Sequence, residues 1–329
     1  MSGTVLRIVG VLLMFTALGL SLFRAPDRPV ETLVARWAPP PSDFVDIKGI
    51  VVHLRDEGPR DDPLPIVLLH GTAASLHTWE GWVRSLKAER RVISFDLPGF
   101  GLTGPFTGSY STSEAAANAG SDPTPDYSGD TYARFVLDVM GHFKIDRAVL
   151  AGNSLGGEIA WRAATLAPHR VAGLVLVDAS GLAVPPQSVP IGFVVARTPV
   201  INRIGEWVLP RALVAQGLAD VYGDPAKITS DLVDRYYELA LREGNRQALG
   251  QRLRQMQPGA DASRVDTIKL PTLILWGGRD KLVPVAAGRE FQTRIVGSQL
   301  VVFDDLGHVP QEEDPARTVA PVRAFLGLR

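Results

Sequence analysis

Gly152-Asn153-Ser154-Leu155-Gly156-Gly157 decides how the rest of the chain is understood. It follows Ala148-Val149-Leu150-Ala151, an apolar run of strand character, and precedes Glu158-Ile159-Ala160-Trp161-Arg162-Ala163-Ala164, of helical character. A serine between a strand and a helix, with glycine two before and two after, matches the G-x-S-x-G nucleophile turn. The turn is tight enough that a Cβ at either glycine would strike the neighbouring strand or helix. It would hold the Ser154 hydroxyl outward at the carboxyl end of a sheet. A plain glycine-rich strand–helix loop has the same local composition, so the assignment depends on partners elsewhere.

A serine hydroxyl is a weak nucleophile at neutral pH. It needs a base, and the base needs an orienting acid. In a strand–turn–helix setting the partners follow in the order Ser, acid, His, each in a loop after a strand. Asp280 lies just past the apolar run that ends at Trp276, and His308 just past the run that ends at Phe303. Asp178 also ends a strand-like run and is the rival acid; its alternative is a loop carboxylate bonding local backbone. Acyl transfer further needs donors for the oxyanion. The N–H of Leu155, directly after the nucleophile, is one. The other is expected from the loop after His70-Gly71, as the N–H of Thr72 with Ala73 as the fallback. Asp304, Asp305, Glu312 and Glu313 are expected to be solvated loop charges.

The composition narrows the class. With 329 residues, a net charge of −1 and no basic run, nothing suggests nucleic acid as a partner. There is no cysteine, hence no thiolate nucleophile and no Cys-based metal site. The histidines show no metal-binding spacing, and no cofactor is expected.

The N-terminus points toward a membrane. No charge occurs from residue 8 to residue 23, with Arg7 and Arg24 flanking. The run is expected to be an uncleaved signal anchor, or else a secretory signal peptide, over residues 1–25. A membrane-anchored or exported protein is therefore expected, of undecided orientation.

Residues 26–42 are proline-rich and read as a linker. Residues 44–46 and 50–54 suit two strands joined at Lys48-Gly49. Ile66-Val67-Leu68-Leu69 suits a strand buried on both faces. Residues 104–128 read as a mobile surface insertion. Residues 181–265 lack a buried-strand pattern and carry amphipathic helical stretches, as a helical cap inserted in the sheet would. The core is expected over residues 26–180 and 266–329. Strands alternating with helices give an α/β fold with a mostly parallel sheet.

These motifs together resemble the α/β-hydrolase family in its capped serine hydrolase branch, esterase- and lipase-like. They are His70-Gly71, Asp96-Leu97-Pro98-Gly99-Phe100-Gly101, the Ser154 turn, Gly278-Arg279-Asp280, Gly307-His308-Val309-Pro310 and Glu313-Asp314-Pro315. The resemblance implies the α/β-hydrolase fold and a Ser154–His308–Asp280 triad acting through an acyl-enzyme. It implies a carboxylic ester as the small-molecule substrate. Family members with an aspartate nucleophile, haloalkane dehalogenases and epoxide hydrolases, are disfavoured by Ser154. The alternative is a C–C bond hydrolase of the meta-cleavage-product type. Those enzymes usually carry tryptophan directly after the catalytic histidine, where this chain has Val309. A binding protein that keeps the fold without turnover is the contrasting class. In the cap, Phe193, Val194, Val195, Ile201, Ile204, Trp207 and Val208 are candidates for an apolar acyl pocket or for packing onto the core. Arg246, Arg252 and Arg254 are candidates for a substrate carboxylate or for solvated helix faces.

Overall fold

Continuous apolar runs form the middle of one sheet in a computed structural model that describes residues 23–107, 110, 124–199 and 201–328. It also describes Arg7, Val11, Met14, Gly19 and Ser21. In chain order the first elements are α1 (Glu31–Trp37), β1 (Asp43–Ile47), β2 (Ile50–Glu57), β3 (Ile66–Leu69), α2 (Glu80–Leu86) and β4 (Val92–Phe95). Then come α3 (Gly129–His142), β5 (Ala148–Asn153), α4 (Leu155–Leu166) and β6 (Val171–Val177). A helical stretch follows: α5 (Ile191–Arg197), α6 (Ile201–Gly205), α7 (Arg211–Val221), α8 (Ser230–Ala240) and α9 (Asn245–Gln255). The chain closes with β7 (Thr272–Gly277), α10 (Val285–Arg294), β8 (Gln299–Phe303), α11 (Pro310–Glu313) and α12 (Pro315–Phe325).

Among the described residues one sheet of eight strands forms, in the order β1-β2-β4-β3-β5-β6-β7-β8. Only β2 runs against its neighbours; every pair from β4 to β8 is parallel. The β1–β2 hairpin closes at Lys48 and Gly49, with φ of 53° and 87°. Two successive positive φ values suit a tight hairpin turn.

Each central strand is apolar on both faces because both are covered. Ile66 and Leu68 meet Trp79, Trp82 and Val319 on one side of the sheet. Val67 and Leu69 meet the layer of Tyr132, Phe135, Ile159 and Trp161 on the other. The parallel register brings the carboxyl ends of β3, β5, β7 and β8 to one edge, where loops can converge.

Two sequence expectations need correction at the N-terminus. The membrane anchor, and with it a membrane-anchored or exported protein, is not supported: among the described residues no helix is long and apolar enough to cross a membrane. Sixteen helical residues reach only about 24 Å, short of a hydrocarbon core of roughly 30 Å. Most of the run itself lies outside the described residues.

From residue 23 the chain is bonded to the helical stretch. Ala25 N–H donates to the Trp207 carbonyl at 2.8 Å, and Arg28 N–H to the Leu241 carbonyl at 2.7 Å. Residues 31–37 are a helix rather than part of a linker. Leu33 is buried, Trp37 Nε1 donates to Glu238 at 2.7 Å, and Asp27 pairs with Arg246 at 2.5 Å. A chain starting at residue 38 should therefore unfold at a lower temperature than the full chain. Loss of Leu33 burial alone costs about 2 kcal/mol. Identical thermal unfolding curves would show that this segment is only draped on the surface.

The described part of residues 104–128 is likewise not a loose surface insertion. Phe106, Tyr110 and Tyr127 are buried, and the Phe106 ring packs tilted against Tyr110, Tyr127 and Tyr132 and edge-on to Phe135, with centroids 5.0–5.7 Å apart. Residues 108–109 and 111–123 lie outside the described residues.

Candidate active site

Ser154 stands between β5 and α4 with φ 53° and ψ −115°, a conformation costly for a residue with a Cβ. The chain keeps it because the glycines around it cannot be replaced. A Cβ on Gly152 would lie 2.1 Å from the Gly156 carbonyl oxygen, and one on Gly156 would lie 2.0 Å from the Leu69 carbonyl oxygen. Backbone bonds hold the bend: Ser154 N–H donates to Val177, while Glu158 and Ser180 N–H groups donate to the Ser154 carbonyl, each at 3.0 Å. Leu155 is the first residue of α4, so its N–H belongs to the set of helix-start donors that lack an intrahelical acceptor.

His308 and Asp280 arrive from the loops after β8 and β7. The His308 Nδ1–Asp280 Oδ2 distance is 2.6 Å, with both side chains almost fully buried. The second Asp280 oxygen, Oδ1, accepts from the N–H groups of Leu282 and Val283 at 2.8 and 2.9 Å. The histidine backbone is fixed as firmly: its N–H donates to Val221 at 2.7 Å, and its carbonyl accepts from Asn153 Nδ2 at 2.9 Å. Asn153 therefore ties the serine turn to the histidine loop, a role with no signal in the sequence.

The rival acid lies beside this pair but makes no hydrogen bond to the His308 ring. Asp178 directly follows β6 at φ 45°, fully buried, and its Oδ1 accepts from Gly277 N–H at 2.9 Å. Burial pushes its carboxyl well above the usual carboxylate range, and the charge of Asp280 pushes it further. The hydrogen bond to His308 belongs to Asp280.

Thr72 lies in the loop after β3. A Cβ on Gly71 would meet Ser154 Cβ at 3.2 Å and Asn153 Oδ1 at 2.9 Å, so glycine lets this loop close on the serine. His70 secures it from below: Nδ1 lies 2.7 Å from the Gly71 carbonyl, and Nε2 accepts from Leu97 N–H at 2.8 Å. Burial lowers the His70 pKa, in keeping with a neutral ring donating from Nδ1 and accepting at Nε2. Asp96 is a second internal tie, accepting from Leu76 N–H at 2.7 Å and Leu102 N–H at 2.8 Å beside His53.

Ser154, His308 and Thr72 line one cavity of about 820 Å³ between the sheet edge and the helical stretch. Its wall is largely apolar, with Phe193, Val194, Val195 and Val208 among the lining residues. Ile201, Ile204 and Trp207 do not line it; they are exposed on the outer surface. Arg246 and Arg252 line the cavity and Arg254 does not. Arg252 is buried, donating to Glu158 at 3.0 Å, because Glu158 in α4 faces the same interior.

Two further carboxylates read as solvated are internal. Glu313 is buried and accepts from the N–H groups of Gly307, Asp224 and Gly223 at 2.8, 2.8 and 3.0 Å. Glu312 accepts from Tyr236 at 2.8 Å and Thr78 at 3.0 Å. Both lie in α11, which packs the histidine loop against the helical stretch. Asp304 and Asp305 are exposed, as expected.

Comparison with known proteins bears on the family and the fold. The sequence profile of the alpha/beta hydrolase family matches residues 66–322. The dihydrolipoyllysine-residue acetyltransferase component of the acetoin cleaving system of Pseudomonas putida is 32% identical over 268 residues. That match covers 80% of this chain but only 63% of the relative's own length. The 2-hydroxymuconate semialdehyde hydrolase of Pseudomonas sp. (strain CF600) is 28% identical over 84% of this chain and 91% of its own. Among solved structures, a meta-cleavage product hydrolase of Pseudomonas fluorescens superposes with a TM-score of 0.70 at 24% identity. It covers 87% of this chain and 97% of its own, and shows a shared fold.

Proposed function

The chain belongs to the alpha/beta hydrolase family, and from that premise we propose a serine hydrolase in which Ser154 attacks an acyl carbon. His308 takes the serine proton and later delivers it to the leaving group. Asp280 holds the His308 ring so that Nδ1 carries its proton and Nε2 faces the serine. The N–H groups of Thr72 and Leu155 receive the oxyanion; as main-chain groups they make the Thr72 side chain unimportant. Water then hydrolyses the acyl-enzyme. The observation that carries this reading is the 2.6 Å His308–Asp280 contact at a cavity that Ser154 also lines. Residues 181–265 act as the cap that closes the cavity.

For the bond cleaved, the reading shifts from the ester toward the carbon–carbon alternative. Relatives similar over most of the chain are named for 2-hydroxymuconate semialdehyde and 2-hydroxy-6-oxononadienedioate hydrolysis. The charged residues on the cavity wall are Arg197, Arg246, Arg252 and Glu158; Arg252 pairs with Glu158 and Arg246 with Asp27, which leaves the Arg197 guanidinium as the wall's excess positive charge. Such a wall suits an organic anion. Carbon–carbon cleavage requires a leaving carbon that can hold the electron pair, as the conjugated chain of a ring-fission product can. A carboxylic ester is the second reading, favoured by the largely apolar wall and by Val309 beside His308.

Turnover of a synthetic 2-hydroxy-6-oxo-dienoate, measured beside p-nitrophenyl esters of graded acyl length, separates the two. The first reading expects the dienoate to have the higher kcat/KM. Turnover of esters alone would return the assignment to an esterase.

A further inference from the structure

The triad leaves one buried acid unused. Asp178 is fully buried at the end of β6, turned inward by a left-handed φ of 45°. Its Oδ1 accepts from the Gly277 N–H; among the described residues its buried Oδ2 receives no hydrogen bond. Asp178, Asp280 and His308 each place one side-chain oxygen or ring nitrogen within 4.8 Å of the others. Asp280 by contrast is surrounded by donors, two backbone N–H groups and the His308 ring.

Among the described residues, the charged and titratable groups facing Asp178 are Asp280, Glu313 and His308. The two carboxylates are both acidic neighbours, and Glu313 is itself occupied by three backbone donors. A second ionised carboxylate here would be buried with one donor and no cation of its own, a costly arrangement. Two carboxylates that share a site settle it with one proton between them. The proton belongs on Asp178, because Asp280 already receives three donors.

We propose that Asp178 carries a proton throughout the reaction and donates it from Oδ2 to the Asp280 carboxylate, as a positioning residue that holds Asp280 against His308. This rests on the triad reading above. The proton that moves in the reaction travels from Ser154 to His308 to the leaving group; the Asp178 proton stays in place. A neutral Asp178 also adds no second negative charge behind His308. Such a charge would hold a proton on the base and remove it from action.

Two measurements on the full chain test this. Infrared spectroscopy of the resting protein at neutral pH should show a protonated carboxyl band that Asp178→Asn removes and Ser154→Ala leaves. The rate of inactivation by a fluorophosphonate, followed against pH, should have the same acid limb in wild type and Asp178→Asn, because the amide is neutral and still donates. Asp178→Ala should slow inactivation by about tenfold or more, the scale of a lost hydrogen bond to a charged group. Asn should restore most of that rate. If the alanine variant fails to fold, the asparagine variant still decides. An acid limb that moves down by about one pH unit or more in Asp178→Asn would mean an ionised Asp178 and overturn the proposal. So would the absence of an Asp178-dependent band. Equal inactivation of Ser154→Ala and wild type would instead sink the triad reading, and the infrared band would still report on Asp178.

Discussion

Ser154→Ala is expected to lower kcat by about 10⁶, the size of the corresponding loss in subtilisin, and to leave the fold intact. The first half follows from chemistry: no other hydroxyl is held in the Ser154 turn, so the covalent route closes. The second half follows from geometry. The Cβ that packs against Gly71 remains, the backbone bonds around residue 154 involve only main-chain atoms, and alanine tolerates φ 53° no worse than serine. Circular dichroism and thermal unfolding should match wild type. Wild-type turnover by the folded variant would end the serine-hydrolase account.

Asp280→Asn is expected to cost about 10⁴ in kcat, as the same change does in the Ser-His-Asp enzymes where it was measured. The structure supplies the reason. Oδ1 accepts from the N–H groups of Leu282 and Val283, and in asparagine the carbonyl oxygen must keep that place. The amide nitrogen then takes the place of Oδ2, 2.6 Å from His308 Nδ1. An amide there donates, so Nδ1 must accept and the ring proton moves to Nε2. The base is then in the wrong tautomer to take a proton from Ser154. Asp178→Asn replaces one neutral donor by another and should cost far less. Kinetics on both variants, with circular dichroism to confirm folding, separate the two acids. A crippled Asp178→Asn beside a nearly normal Asp280→Asn would move the acid to β6.

The serine turn was legible because its requirement is local: each glycine is demanded by backbone within four residues or by the adjacent strand. The sheet was legible because its central strands are covered on both faces and so are apolar throughout. The choice between Asp178 and Asp280 was harder to see. Both follow strands, and what separates them is tertiary: the His308 ring lies 2.6 Å from Asp280, while Asp178 is bonded to the Gly277 N–H.

The N-terminal segment misled for a physical reason. Its proline content suggests a linker, but Trp37 and Arg36 find Glu238 some two hundred residues away, and no local pattern announces such a partner. Glu312 and Glu313 look like loop charges until the backbone donors of residues 223 and 224 are brought to Glu313. The cap helices are short and amphipathic to different degrees. Which apolar residues line the cavity, such as Phe193, and which face outward, such as Trp207, depends on how the helices pack.

The most direct test of the central claim is covalent trapping. Wild-type protein incubated with a fluorophosphonate should gain the mass of one adduct, mapped by peptide sequencing to Ser154. The Ser154→Ala protein should gain none, and His308→Ala should react far more slowly. An enzyme that turns over substrate yet remains unlabelled, or is labelled at another residue without loss of activity, would contradict the account.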